Sequence, residues 1–350
     1  MAVNELRKDY LLDRWVVIAA KRKRRPKDYA ERFEEKKVIA CPFCPGNEHM
    51  TPPASLVYLI KDGKLKKTRD KNGARCKDWV VRCIPNLYPA FSPPLEKSNN
   101  EAETSRGAFI SMKAYGYHEV VIESPNHDEH PSVARIEQLT HVINALKDRT
   151  AYFMQKSYVQ YVSIFRNHGA GAGASLSHAH SQIIATPMTP KIIEEESNAS
   201  GKYYAENGKC LFCEIISKEM ESERFIWSNN NFIVFAPWAS INPFEFWIFP
   251  KKHQETILET TENDVKSLAE ALRVSLGGLK RLLNDPPYNL GFHMIPKRHY
   301  HWHIEVYPRL SIWAGFEKST GVYINTVSPE EAAERLRDSF KEEEKSIKSG

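Results

Sequence analysis

Four groups able to bind a divalent metal lie in the first half of the chain, and four more repeat their order in the second. The first set is Cys41-Pro-Phe-Cys44, His127 and His178; the second is Cys210-Leu-Phe-Cys213, His253 and His301. Each closes on a His-x-His followed two residues later by an amide or a carboxylate, His178-Ala-His180-Ser-Gln182 and His301-Trp-His303-Ile-Glu305. A structural zinc site takes about four nitrogen or sulfur ligands in a tetrahedron, and Cys41, Cys44, His127 and His178 supply that number. Two cysteines separated by two residues chelate from one turn, while distant histidines tie down loops that would otherwise cost entropy to close. The rival reading, a redox dithiol with unrelated histidines, is weakened because the whole set recurs.

With His178 committed to a metal, His180 becomes the residue of interest. Positions i, i+2 and i+4 of a strand share a face, so His178, His180 and Gln182 are expected to line one surface. A neutral imidazole is a competent nucleophile toward phosphorus, and a covalent intermediate divides one hard displacement into two easier ones. Gln182 can donate to a phosphoryl oxygen without adding negative charge. Just upstream runs Asn167-His-Gly-Ala-Gly-Ala-Gly-Ala-Ser175. Its glycines let backbone amides approach a phosphate, and Asn167 and Ser175 add side-chain donors. No Gly-Lys-Ser/Thr follows, and a strand rather than a helix is expected next, so this is neither a Walker loop nor a dinucleotide fingerprint. The basic run Lys21 to Lys27 follows an apolar strand, Trp15-Val-Val-Ile-Ala-Ala. Within it, Arg22 and Arg25 are read as forks for nucleotide phosphates, in preference to nucleic-acid binding or a solvated turn.

Those residues need elements to hold them, and the same elements occur twice. His118-Glu119-Val-Val-Ile-Glu-Ser-Pro-Asn-His127 aligns without a gap on Phe244-Glu245-Phe-Trp-Ile-Phe-Pro-Lys-Lys-His253, with an acidic residue eight positions before the histidine in each. Long amphipathic segments follow, Ser132 to Lys156 and Glu262 to Leu283, then β-rich runs at Tyr158 to Phe165 and Tyr288 to Ile295, then the His-x-His. Two similar supersecondary units packed together are expected. Residues 92–107 read as a surface loop, and 187–209 as the connection between units. Ser328-Pro329-Glu330-Glu331 places an N-cap, a first-turn proline and a third-position glutamate at the start of a terminal helix.

Composition excludes little else. The 350 residues are 41% hydrophobic and 27% charged with a net charge of +5, ordinary globular values. With no long apolar run and no signal core, a soluble cytoplasmic protein with no membrane partner is expected. Four of the six cysteines sit in the two pairs, which favours metal over disulfides, and Cys76 and Cys83 are taken as structural thiols. A zinc-stabilised nucleic-acid-binding protein would explain the cysteine pairs and the arginines. It would leave His180 and Gln182 without a role, and basic residues interleaved with aromatics are not evident, so no nucleic-acid partner is expected.

These residues resemble the galactose-1-phosphate uridylyltransferase family of the histidine-triad superfamily. The likeness runs from Asp13-Arg-Trp-Val-Val-Ile to Gly315-Phe-Glu and Ser328-Pro-Glu-Glu-Ala-Ala-Glu-Arg-Leu, and is most specific at Ser177-His-Ala-His-Ser-Gln182. Hydrolytic branches of the superfamily usually carry a third histidine where this chain has Gln182, which favours transfer. The resemblance implies an α+β fold of two tandem histidine-triad-like units, residues 1–190 and 191–350, mainly antiparallel sheet with flanking helices. It implies that His180 attacks the α-phosphorus of UDP-glucose, releases glucose-1-phosphate, and carries a uridylyl group until galactose-1-phosphate accepts it. A nearby variant uses ADP-glucose with phosphate as acceptor. It further implies that Gln182, Asn167 and Ser175 lie near the phosphates, Asn86 contacts ribose, and Phe316, Glu317 and Asn325 contact the sugar. Arg22 and Arg25 would reach a nucleotide in a partner subunit, making a homodimer. Two zinc ions per chain are expected, the second at Cys210, Cys213, His253 and His301, with His303 as the alternative to His301. Departures from the family pattern are Ala179 in place of a proline and Leu87 in place of an aspartate.

Overall fold

A computed structural model describes residues 5–18, 40–71, 73–94, 103–106 and 109–349. The first half contributes β1 (Glu5–Lys8), β2 (Trp15–Ile18), β3 (Leu56–Lys61), β4 (Lys64–Thr68), β5 (Trp79–Pro85), β6 (Glu103–Arg106), β7 (Phe109–Met112), β8 (Tyr117–Ile122), α1 (Ile136–Met154), β9 (Tyr161–His168) and β10 (His180–Thr186). The second half contributes α2 (Lys191–Asn207), α3 (Leu211–Glu219), β11 (Phe225–Ser228), β12 (Phe232–Phe235), β13 (Phe246–Pro250), α4 (Glu262–Leu283), β14 (Tyr288–His293), β15 (His303–Pro308), α5 (Gly315–Thr320), β16 (Tyr323–Asn325) and α6 (Pro329–Ser349). The fold is α+β, as expected.

Eleven of the described strands join in one antiparallel sheet, ordered β11-β12-β13-β15-β14-β9-β10-β8-β5-β3-β4. The order is palindromic about its middle. On one side β9, β10 and β8 follow one another; on the other, β14, β15 and β13 do. The halves meet where β9 pairs with β14, Asn167 opposite Asn289 and Phe165 opposite Gly291. Each half sends one long helix, α1 or α4, across the same face, because alternate strand residues there are apolar: Val162, Ile164 and Ile183 in one half, Phe246, Ile304 and Val306 in the other. The opposite face carries the polar chemistry. There Val120, Gln182, Phe165, Gly291, Glu305 and Trp247 form one cross-strand row.

That row corrects the gapless alignment. Gln182 lies opposite Val120 and Glu305 opposite Trp247, so Val120 corresponds to Trp247 and His118 to Glu245. From Val120 to His127 is seven positions and from Trp247 to His253 is six, so the second copy is one residue shorter after its strand. A one-residue slip exchanges the two faces. Glu119 accordingly faces the helices, where Arg149 grips it at 2.7 and 2.8 Å, while Glu245 faces the polar side.

Two further expectations change. Residues 187–209 are not a bare connection: most of them form α2, ended by Gly208 in the left-handed region. Residues 5–18 belong spatially to the second half, since β2 runs parallel to β16, Arg7 pairs with Glu330 at 2.9 Å, and Leu11 and Leu12 pack in one core with Phe235 and Trp247. The terminal helix begins where its cap predicted, with Ser328 Oγ accepting the Glu331 amide at 3.2 Å.

Candidate active site

The Cys-x-x-Cys turn and the His-x-His strand meet at one edge of the first half. Cys41 Sγ lies 3.6 Å from His178 Nδ1, and Cys44 Sγ lies 3.4 Å from His127 Nδ1 and 3.5 Å from His178 Nδ1. A tetrahedral zinc ion, with bonds of about 2.3 Å to sulfur and 2.05 Å to nitrogen, separates neighbouring ligands by about 3.6 Å, so these four residues fit it. The second shell agrees. His178 Nε2 donates to the Ser124 carbonyl at 2.8 Å and His127 Nε2 meets Ser177 Oγ at 2.9 Å, which turns both Nδ1 atoms toward the sulfurs. Burial holds the His178 imidazole down at about 4, hence neutral. Burial, then Cys41, pushes the Cys44 thiol up to about 11, so a pair of thiolates there calls for a cation between them.

The second set gathers in the same way. Cys213 Sγ is 3.3 Å from His253 Nδ1 and 3.5 Å from His301 Nδ1, and the ligand atoms of Cys210, Cys213, His253 and His301 all lie within 4.8 Å of one another. His301 occupies the fourth position, and His303 turns to Glu305 at 3.3 Å instead.

His180 opens β10 and stands 7% exposed. Its Nδ1 donates to the His178 carbonyl at 2.7 Å, which fixes the tautomer, and among the described residues no hydrogen bond engages Nε2. Phe43, between the two cysteines, packs its ring 5.5 Å from His180 and 6.0 Å from His178. The metal turn therefore also braces the adjacent imidazole. Burial keeps the His180 pKa below its usual value, so the ring is neutral and its Nε2 lone pair available. Beneath it, Arg166 donates to the His180 carbonyl at 3.0 Å and pairs with Glu123, which accepts from Ser181 Oγ at 2.5 Å.

Gln182 lies on the same face, its Oε1 2.8 Å from His118 Nε2. Asn167 is the penultimate residue of the neighbouring strand, and its Oδ1 accepts from Asn289 Nδ2 at 2.8 Å. The same Asn289 nitrogen donates to the Ala172 carbonyl at 2.8 Å, pinning the glycine loop. Gly169 and Gly173 there adopt φ of +77° and +86°, which side chains rarely tolerate. Ser175 is exposed just beyond. Asn86 packs its amide 3.1 Å from His118 Nε2, joining this cluster.

The other expected sugar contacts are not brought to His180 within this chain. Phe316 is exposed on α5, and Glu317 caps that helix by accepting the Ala314 amide at 3.0 Å. Asn325 is buried, its amide donates to the Ser240 and Asn242 carbonyls, and its Oδ1 accepts from Val327. Its carboxamide is consumed in holding the loop. Arg22 and Arg25 lie outside the described residues.

Sequence reasoning named His303 and Glu305 but missed Asn289, and missed Glu196 and His293, which gather with that pair. The ligand atoms of Glu196, His293, His303 and Glu305 lie within 4.8 Å of one another. Burial works to lower the His293 pKa, but Glu196 at 3.0 Å and Glu305 raise it to about 9. Strand parity would have placed Asn289, His293 and Glu305 on one face; the contribution of Glu196 from α2 carries no local signal.

The comparisons agree with this geometry. A family model described as a domain of unknown function, DUF4921, matches residues 126–348. ADP-glucose phosphorylase of Arabidopsis thaliana is 35% identical, covering 95% of this chain and 92% of that one. Galactose-1-phosphate uridylyltransferase of Thermotoga maritima is 29% identical, covering 95% and 98%. The crystal structure of an ADP-glucose phosphorylase from Arabidopsis thaliana with bound ADP-glucose superposes with a TM-score of 0.79 at 33% identity, covering 96% of this chain and 99% of that one. With its paired Cys/His clusters and a neutral histidine at the head of β10, the chain belongs to the galactose-1-phosphate uridylyltransferase family.

Proposed function

We propose that this chain moves a nucleoside monophosphate between a nucleoside-diphosphate glucose and a phosphate-bearing acceptor, with His180 as the covalent carrier. The observation that carries the reading is the His180 ring itself: neutral, its Nδ1–H spent on the His178 carbonyl, its Nε2 on the face shared with Gln182. The Nε2 lone pair attacks the α-phosphorus, a phosphorus–nitrogen bond forms, and the bond to the bridging oxygen breaks, its electron pair leaving with the sugar 1-phosphate. An acceptor phosphate oxygen then attacks the same phosphorus and returns the pair to Nε2. The His178 carbonyl stabilises the positive ring of the intermediate through Nδ1–H. Amides of Gln182 and Asn167 would hold the phosphoryl oxygens where charge develops.

Zinc bound by Cys41, Cys44, His127 and His178 would supply fixed geometry to the turn that carries Phe43 and to the residue before His180's neighbour Ala179. A second zinc at Cys210, Cys213, His253 and His301 would do the same for the other half. A homodimer in which the arm with Arg22 and Arg25, and the loop with Phe316 and Glu317, complete the partner's site belongs to this reading, and would give the exposed Phe316 ring a role.

Two donor and acceptor pairs fit this chemistry. UDP-glucose with galactose-1-phosphate is what the family resemblance implies. ADP-glucose with inorganic phosphate is favoured by the higher identity to ADP-glucose phosphorylase. Intact-protein mass spectrometry after mixing with each nucleotide sugar tests the carrier: a uridylyl or adenylyl mass gain, lost in His180→Asn, is expected. A panel of UDP-glucose and ADP-glucose against galactose-1-phosphate and phosphate then separates the pairs. No adduct from either donor would overturn the reading.

A further inference from the structure

We propose that His118 is a positioning residue that fixes which end of the Gln182 amide meets the phosphate; this rests on the nucleotidyl-transfer reading above. A carboxamide is nearly symmetrical in shape, yet its two ends act oppositely on an anion: the NH2 attracts a phosphoryl oxygen and the carbonyl repels it. Gln182 can therefore serve only if something holds its carbonyl elsewhere.

His118 does so, and its tautomer follows from the backbone. The Ala90 amide lies 3.2 Å from His118 Nδ1, and a backbone N–H can only donate, so Nδ1 is the acceptor and Nε2 carries the hydrogen. Nε2–H then donates to Gln182 Oε1 at 2.8 Å, leaving the Gln182 NH2 for a ligand. Burial keeps the ring below its usual pKa, against the pull of the Gln182 bond, so the neutral form with this single Nε2–H persists. Asn86 lies beside the same edge, its Oδ1 accepting the Tyr88 amide at 2.9 Å; its Nδ2, 3.1 Å from Nε2, is itself a donor and makes no bond to the protonated ring nitrogen. The second half supplies a natural contrast: the corresponding pair is Glu245 and Glu305, two carboxyl groups with no amide to orient.

The test is the single-turnover rate of His180 nucleotidylation from ADP-glucose or UDP-glucose, whichever the unsubstituted protein uses. His118→Leu is expected to slow the step about tenfold to hundredfold at saturating nucleotide sugar with KM changed less than about threefold, because orientation matters most in the transition state. His118→Gln, which can place an N–H near the position of Nε2, should recover most of the rate. Adding His118→Leu to Gln182→Ala should cost less than about twofold, since there is no amide left to aim. An equal loss in both backgrounds, or no loss in the single variant, overturns the inference while leaving the carrier role of His180 intact. Absence of any adduct from the unsubstituted protein overturns both.

Discussion

His180 and His303 occupy the same place in two copies of one motif, and they have opposite surroundings. Around His180 the closest aromatic partner is Phe43, on one side only. His303 is fully buried, with Phe249 stacked on it at 4.5 Å and Phe212, Trp247 and Tyr300 closing the other directions. Val120 of the first copy stands where the second has Trp247, so small aliphatic side chains leave open in one half what indole and phenyl rings fill in the other. The polar partners differ in sign as well. His118 and Gln182 are an imidazole and an amide, whereas the same two positions of the second copy hold the carboxyl groups of Glu245, pushed up to about 8, and Glu305. A phosphate entering the second site would meet rings and the Glu305 carboxylate. The two copies hold two imidazoles, and packing encloses His303 while, among the described residues, no hydrogen bond engages His180 Nε2.

Substituting each histidine gives the widest separation. His180→Ala should abolish the nucleotidyl adduct and reduce turnover by about 10⁴-fold or more, as loss of a covalent nucleophile does. His303→Ala should leave adduct formation within about threefold but lower stability by about 2 to 4 kcal/mol, since it opens a cavity inside an aromatic cage. Intact mass, steady-state rates and denaturant titration read both. An adduct in His180→Ala, or its loss in His303→Ala, would break the contrast.

The metal sets should behave alike where the histidines differ. Metal analysis is expected to find about two zinc ions per chain, with Cys41→Ser and Cys210→Ser each losing about one. Each loss should lower the melting temperature, because the bound ion closes loops that span well over a hundred residues in the first set and about ninety in the second. Activity should separate them: removing the first ion frees His178 and Phe43 beside the carrier, while removing the second disturbs only the structural half. A Cys41→Ser protein of unchanged stability and no activity would mean that the first ion is not structural.

Much of this was legible in the sequence because it depends on local chemistry. Cysteines three apart, histidines two apart at the head of a strand, and helical periodicity at Glu262–Leu283 each carry their own signal. What was hidden depends on long-range packing. No local pattern tells that residues 5–18 dock on the second half through Arg7 and Leu11, or that Glu196 reaches across from α2 to His293. The register error has a similar origin. Glu119 and Glu245 share a spacing to the lone histidine, but a single residue lost after the strand turns them to opposite faces. The Asn325 carboxamide matched a sugar-binding position by motif, yet its burial between Ser240 and Asn242 commits it to backbone.

The carboxylates of the second half give a pH signature that the first half lacks. Burial, then Glu305, pushes Glu245 up to about 8, against Arg14 and the Asn242 amide. Because the folded value lies above the unfolded one, the folded chain keeps a proton that the unfolded chain releases. The associated stability is present below the ordinary glutamate range and is lost as pH rises toward about 8. Glu245→Gln should flatten that decline in the unfolding free energy between about pH 4.5 and 8. Parallel curves for the two proteins would show that Glu245 is charged throughout.

The smallest expected effect concerns a place where the second half serves the first. Asn289 belongs to β14, yet its Nδ2 donates at 2.8 Å both to Asn167 Oδ1 and to the Ala172 carbonyl. The Ala172 carbonyl can only accept, so Asn289 must present its NH2, and Asn167 must in turn present its oxygen to Asn289 and keep its own NH2 for a ligand. Asn289→Ala removes a clamp worth about 1 kcal/mol without touching any reacting atom. A three- to tenfold loss in kcat is therefore expected, about the effect of that energy on a rate, with metal content unchanged. Asn289→Asp should be worse than Ala, because a carboxylate facing Asn167 Oδ1 drives that amide to flip and turns its oxygen toward the phosphate. If Ala and Asp behaved alike, Asn289 would be holding only the loop, and the second half would contribute shape to the active half rather than orientation.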